Sequence, residues 1–218
     1  VAGEPELLSG DEPLAEHIAR HDYDRLIMLS DGVFAIAITL LALELKPPPH
    51  WDGDLSHLVE ATWRSLFAYL FGFAIVGGFW VAHRTLFARI RRVDGRFTLL
   101  ALVQLCLVAA TPAVANLVAM SGPGKATKVY FMLIAAIGLL QSLLWAYAAF
   151  VARLADEGID GRTRRLMQMR FALLPAIALA LLIENLAGHP DTAAAIPVIV
   201  AAAAAAAFIR RRGREAAQ

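Results

Sequence analysis

Arg25-Leu26-Ile27-Met28-Leu29-Ser30-Asp31-Gly32-Val33-Phe34-Ala35-Ile36-Ala37-Ile38-Thr39-Leu40-Leu41-Ala42-Leu43-Glu44-Leu45 is an apolar run of bilayer length with a carboxylate set into it. A helix that spans the hydrocarbon core needs roughly 20 mostly apolar residues. A charge inside such a helix is costly, so it marks a functional site or an assembly contact. At 100° per residue, Gly32, Ile36, Thr39, Leu40 and Leu43 share one face, and Asp31 points about 130° away from its centre. One side of this helix is therefore aliphatic with a single hydroxyl, and another presents a charge. An aliphatic side packs against protein or faces lipid. Asp31 reads in two ways, as a structural hydrogen-bond and ion-pair cluster or as a proton or ion site. Arg25, Arg84 and His83 are the cations within reach as its partners.

Five more apolar blocks follow. Of the 218 residues 59% are apolar, with a mean hydropathy of +0.59, against the ~45–50% apolar of a soluble domain. The excess falls in blocks at about 26–45, 65–82, 97–120, 129–152, 171–187 and 192–209. Connectors such as Pro47-Pro48-Pro49, Val93-Asp94-Gly95, Ser121-Gly122-Pro123-Gly124, Gly158-Ile159-Asp160-Gly161 and Gly188-His189-Pro190 carry the residues that stop helices. The expected fold class is all-α, a polytopic membrane protein with six transmembrane helices. Pro112 and Pro175 can break the third and fifth of them. The run from Ala201 to Ala207 reads as a small-residue face for close helix packing.

Orientation follows from the basic residues. All but four of the 20 fall in the N-terminal stretch, the second and fourth connectors and the C-terminal stretch. The exceptions are Lys46, Arg64, Lys125 and Lys128. The positive-inside rule then places both ends in the cytoplasm and favours an even number of spans. Residues 1–24 carry Glu4, Glu6, Asp11, Glu12, Glu16, Asp22 and Asp24, whereas a secretory signal starts basic. They read as a cytoplasmic tail, helical from about Leu14. Residues 25–209 read as the six-helix membrane domain, and 210–218 as a basic cytoplasmic tail.

Net charge is +1, so no overall basicity points to nucleic acid. Cys106 is the one cysteine; it excludes an intramolecular disulfide and reads as a buried thiol. The sequence has no His-Glu-x-x-His, no Gly-x-Ser-x-Gly and no paired-cysteine motif, and the six histidines have no metal-site spacing. An enzyme, a metal centre and a cofactor are therefore not expected.

The run Arg25-x-x-x-Leu29-Ser30-Asp31-Gly32-Val33-Phe34-Ala35-Ile36-Ala37-Ile38-Thr39-Leu40-Leu41 resembles the first-helix signature of the prokaryotic transmembrane protein 175 family of potassium channels, with Leu29 where the family usually has Phe. Phe79-Trp80-x-x-His83-Arg84-x-Leu86-Phe87 is similar to the family's Trp-x-x-His pattern at the end of the second helix. The resemblance implies a homotetramer in the cell membrane, multi-pass, with each first helix lining a central pore for K+. It also implies rings of aliphatic side chains in place of a Thr-Val-Gly-Tyr-Gly filter, which this sequence lacks. It assigns the constriction to Ile36, Leu40 and Leu43 with Thr39 adjacent, and a structural polar network to Arg25, Asp31 and His83, with Ser30 beside Asp31 in the motif. The partners it implies are three further copies and the lipid bilayer, with no small-molecule substrate. A narrow aliphatic neck excludes water and imposes a dehydration barrier, and potassium sheds water more readily than sodium. The competing reading is a proton-coupled secondary transporter using Asp31 and His83, which would want an inverted repeat and broken mid-membrane helices. No repeat is visible.

Overall fold

Three aspartates open three of the helices. Asp54, Asp94 and Asp160 each sit in extended backbone, and each carboxylate accepts from backbone N–H groups of the turn that follows. These are orphan donors that a helix cannot satisfy internally. In the computed structural model, which describes residues 14–43, 45, 53–121 and 125–187, six α-helices result. They are α1 (Leu14–Ala42), α2 (Leu55–Phe87), α3 (Gly95–Ala109), α4 (Thr111–Ser121), α5 (Lys125–Ala146) and α6 (Gly161–Leu186). A π-helical turn, Tyr147–Val151, extends α5. The described residues contain no strand beyond one isolated antiparallel bridge between Ile90 and Ala155.

Among the described residues five stretches are long and apolar enough to cross a membrane: Arg20–Ala42, Tyr69–Phe87, Gly95–Val118, Ala126–Val151 and Gly161–Leu186. The sixth block, at 192–209, and the alanine run within it lie outside the described residues. The chain is an all-helical, multi-pass membrane protein.

Helix boundaries differ from the apolar blocks for physical reasons. The third block is divided at Ala110 between α3 and α4. Pro112 lacks the N–H that would bond back into α3, and its ring crowds the preceding turn. Pro175, by contrast, lies inside a continuous α6. There α5 makes room for it, because a Cβ on Gly138 would stand 2.9 Å from the Pro175 Cδ. Among the described helices, α5 and α6 share the most extensive contact. Both α2 and α6 begin about three turns before their apolar blocks. Their caps decide where they start, and charge on an exposed face does not stop a helix.

Two apolar clusters form the interior. One gathers Leu26, Leu86, Phe87, Phe97, Trp145, Leu154, Met167 and Phe171. The other gathers Phe34, Leu41, Val76, Phe79, Leu105, Tyr130, Ile134 and Ile137. Arginines crowd the connectors beside the first. Arg91 pairs with Asp156 at 2.9 Å, tying the α2–α3 connector to the α5–α6 connector, and the Arg164 guanidinium donates to the carbonyls of Ala149, Asp156 and Ile159. The Tyr147 hydroxyl donates to the Asp94 carboxylate at 2.7 Å, tying the end of α5 to the cap of α3. Cys106 departs from expectation: it is exposed on the outside of α3, since the apolar face of this helix is wider than the core it packs against.

Candidate ion path and its buried support

The first helix is buried on one side only. Leu26, Ser30, Phe34, Ala37 and Leu41 recur at helical spacing and lie in the interior. The opposite side carries Ile36 at 59% exposure, Leu43 at 69%, Leu40 at 40% and an exposed Thr39. The Thr39 hydroxyl donates to the Ile36 carbonyl at 2.9 Å. Its proton is thereby committed to the helix, and its outward lone pairs can only accept.

Between the two apolar clusters lies a belt of polar side chains that runs through the interior. His83 of α2 is central and 3% exposed. Its Nε2 is 3.1 Å from the Ser30 hydroxyl on α1, and its Nδ1 is 3.1 Å from the Gln104 amide on α3. The Gln104 amide meets that of Gln141 on α5 at 2.8 Å. Ser30 donates to the Leu26 carbonyl at 2.7 Å. One step further, Gln168 of α6 donates to the Ser142 hydroxyl at 2.7 Å. Phe34 and Phe87 pack on the His83 ring, with centroids 5.5 and 4.7 Å away. Buried polar groups are costly unless paired, so such a belt holds its helices in one register.

Asp31 takes a partner outside the set of cations named from the sequence. Its carboxylate accepts from the Trp80 indole Nε1 at 2.7 Å. The Arg84 guanidinium lies over the same indole, 5.6 Å from its centroid, at cation–π distance. His83 faces Ser30 instead. Among the described residues no hydrogen bond joins Arg25 to Asp31, and Arg25 lines a groove of about 710 Å³ with Asp22, Leu29, Leu99 and Leu102. The reason is angular: Asp31 is a full residue step, about 100°, from the buried Ser30 position, so it stands at the seam with α2 rather than inside. Trp80, Gln104 and Gln141 were not singled out as site residues from the sequence. The signal for the glutamines was present, since each is an amide inside an otherwise apolar helix.

Comparisons with known proteins decide the family. A potassium channel of Streptomyces collinus is 36% identical over 155 residues, covering 68% of this chain and 75% of that protein. The chain belongs to the TMEM175 family. The family's model, described as endosomal/lysosomal potassium channel TMEM175, matches residues 25–112, which take in α1 from Arg25 onward, α2, α3 and the start of α4. A potassium channel of Chamaesiphon minutus is 36% identical over 143 residues, with 62% of this chain and 70% of that one covered. The crystal structure of a lysosomal potassium-selective channel TMEM175 homolog from the same organism superposes with a TM-score of 0.71 at 27% identity, covering 83% of this chain and 95% of that one. The relatives are named as channels, not as enzymes.

Proposed function

We propose that this TMEM175-family protein is a potassium-selective cation channel, in which four copies surround a pore lined by α1. The observation that carries the reading is the split of α1 into a buried side and an exposed aliphatic side holding Ile36, Thr39, Leu40 and Leu43. The bacterial relatives, named as potassium channels, supply the ion. One helix cannot enclose a pore, and closed rings of identical subunits are the usual solution. Ile36, Leu40 and Leu43 form the constriction and raise a dehydration barrier that favours potassium modestly over sodium. Thr39 offers oxygen lone pairs in that neck, because its proton is held by the Ile36 carbonyl. No Thr-Val-Gly-Tyr-Gly filter operates, and K+ passes without any resident cofactor.

The polar network of Ser30, Asp31 and His83 holds α1 against its neighbours, with Arg25 at the pore's entrance side. Arginines gather near the apolar cluster that contains Leu26, Phe97 and Met167, and this supports placing that end in the cytoplasm of a cell membrane. On this reading residues 1–24 and 210–218 are cytoplasmic tails and residues 25–209 are the channel domain.

Reconstitution in a planar bilayer under a potassium gradient tests the reading. Discrete current steps, with a reversal potential near that of potassium in mixed potassium and sodium, are expected. Saturable flux without steps would replace the channel by the transporter that uses Asp31 and His83.

A further inference from the structure

The polarity of the buried belt is decided by counting protons. The Ser30 oxygen lies 2.7 Å from the Leu26 carbonyl, which can only accept, so the hydroxyl proton goes there. The 3.1 Å contact between Ser30 and His83 Nε2 then requires a proton on Nε2. A neutral imidazole with Nε2–H has a bare Nδ1, which must receive a donor. That donor is the Gln104 amide, 3.1 Å away. Oxygen and nitrogen of an amide trade places on a half-turn of the group, so atom positions leave its direction to this count. As drawn, the Gln104 Oε1 faces His83 and its Nε2 donates to the Gln141 Oε1 at 2.8 Å; with both amides turned over, the Gln104 NH2 faces His83 and Gln141 donates to the Gln104 oxygen across the same distance. The donors then run one way through four helices: Gln141 to Gln104, to His83, to Ser30, to the Leu26 carbonyl. Reversing the amides alone would put two protons on a ring that is 3% exposed, and a buried cation is far more costly than the weak 3.4 Å contact to the Ile137 carbonyl that this sense gives up. Reversing Ser30 as well would keep the ring neutral but leave two oxygens, Ser30 Oγ and the Leu26 carbonyl, 2.7 Å apart with no proton between them.

The chain ends on the back of α1. Thr39 is nine residues from Ser30, about 180° around the helix. A clamp on Ser30 therefore sets where Thr39 and its neighbours point.

We propose that Gln104, keyed by Gln141, is a positioning residue for the pore: it holds His83 as the Nε2–H tautomer, and through Ser30 this fixes the rotation of α1 and the side chains it shows to the ion. The inference rests on α1 lining the pore. Both glutamines lie outside the first-helix and second-helix motifs and touch no ion.

The test uses the full-length channel in lipid. In protein labelled with 15N-histidine, and assigned by subtraction of a His83→Phe spectrum, His83 shows a protonated Nε2 and a bare Nδ1. Gln104→Met keeps the shape and removes the donor, so the proton becomes shared between the two nitrogens. Gln104→Glu replaces the donor by an acceptor and moves a proton to Nδ1. A role limited to packing predicts neither change.

Rotation is read by thiol labelling in a Cys106→Ser background. The ratio of labelling rates at Ile36→Cys and Ala35→Cys changes by about fivefold in Gln104→Met, the population shift that one net hydrogen bond sustains. It does not change further in a Ser30→Ala background, where the clamp is already cut. Should Gln104→Met fail to fold, Gln141→Met at the far end of the chain shifts the same ratio. Loss of current on labelling Ile36→Cys tests the pore reading itself. With that block present and the ratio unmoved, the proposal fails while the pore reading stands. With the block absent, both fail. A spectrum with protonated Nδ1 in the wild type overturns the proposal directly.

Discussion

Gly138→Ala adds one methyl group where, among the described glycines, a Cβ would meet its neighbours most closely. The new Cβ would lie 2.9 Å from the Pro175 Cδ, 3.1 Å from its Cβ and 3.2 Å from its nitrogen. Unstrained carbon contacts lie at about 3.5–4.0 Å, so α5 and α6 would have to part by roughly half an ångström or more. A flexible side chain could swing aside, but a proline ring is part of the backbone. Overpacking of this kind costs about 1–3 kcal/mol, while replacing a helical glycine by alanine returns up to about 1 kcal/mol. The expected net loss is about 1–2 kcal/mol. Gly77→Ala is the control, because a Cβ there meets nothing within 4 Å of its own subunit and only the propensity gain remains. Thermal unfolding of the purified channel in detergent, followed by helical signal, compares the two. The contact is pairwise, so the loss should shrink in a Pro175→Ala background, as a double-mutant cycle measures. Equal melting temperatures for Gly138→Ala and Gly77→Ala would refute the reasoning, as would an undiminished loss without the proline ring.

Ile36→Ala should raise single-channel conductance and weaken discrimination between potassium and sodium, about tenfold in rate for each 1.4 kcal/mol taken off the dehydration barrier. Unchanged conductance and reversal potential would remove Ile36 from the pore, and Thr39→Ala, measured alongside, separates oxygen coordination from dehydration alone. A cysteine at Thr163 should label only from the cytoplasmic face and one at Ser56 only from outside, both without Cys106; labelling of Thr163 from outside would invert the topology. Asp156 accepts from the Gly158 N–H and pairs with Arg91, and these hold its carboxyl below the ordinary 3.8. A lowered pKa means the stabilisation is present above pH 3.8 and is lost as pH falls through the folded value. The protection of the Gly158 amide against hydrogen exchange, relative to a free amide at the same pH, should therefore fall as pH drops through the folded value, and an Asp156→Asn variant should show no such step.

The membrane-crossing architecture was legible because it depends on composition over a window. Twenty apolar residues in lipid have few alternatives to a helix, since every backbone group must be paired internally. Arg25 to Leu41 was legible for a second reason: charge and hydroxyl inside an apolar run are rare, and their angular positions follow from 3.6 residues per turn. The same logic applies to Gln104 and Gln141, each an amide inside an otherwise apolar helix, but which side chains they meet depends on how their helices are rotated against one another. The partner of Asp31 was less accessible. Cation and carboxylate attract in any pairing, so Arg25, Arg84 and His83 were the partners the sequence offered, and the neutral Trp80 indole was not among them.

By itself, then, the sequence determined the number of spans among the described residues, the side of α1 that is aliphatic, and the end of the bundle that is basic. These are local sums and periodicities. Tertiary structure alone decided that Asp31 accepts from Trp80, that His83 turns to Ser30 and Gln104, that Cys106 faces outward, and that Gly138 admits Pro175. Each of these depends on the rotation and spacing of two helices far apart in the chain. A change of about 100° in one helix exchanges every such partner without altering its own periodicity.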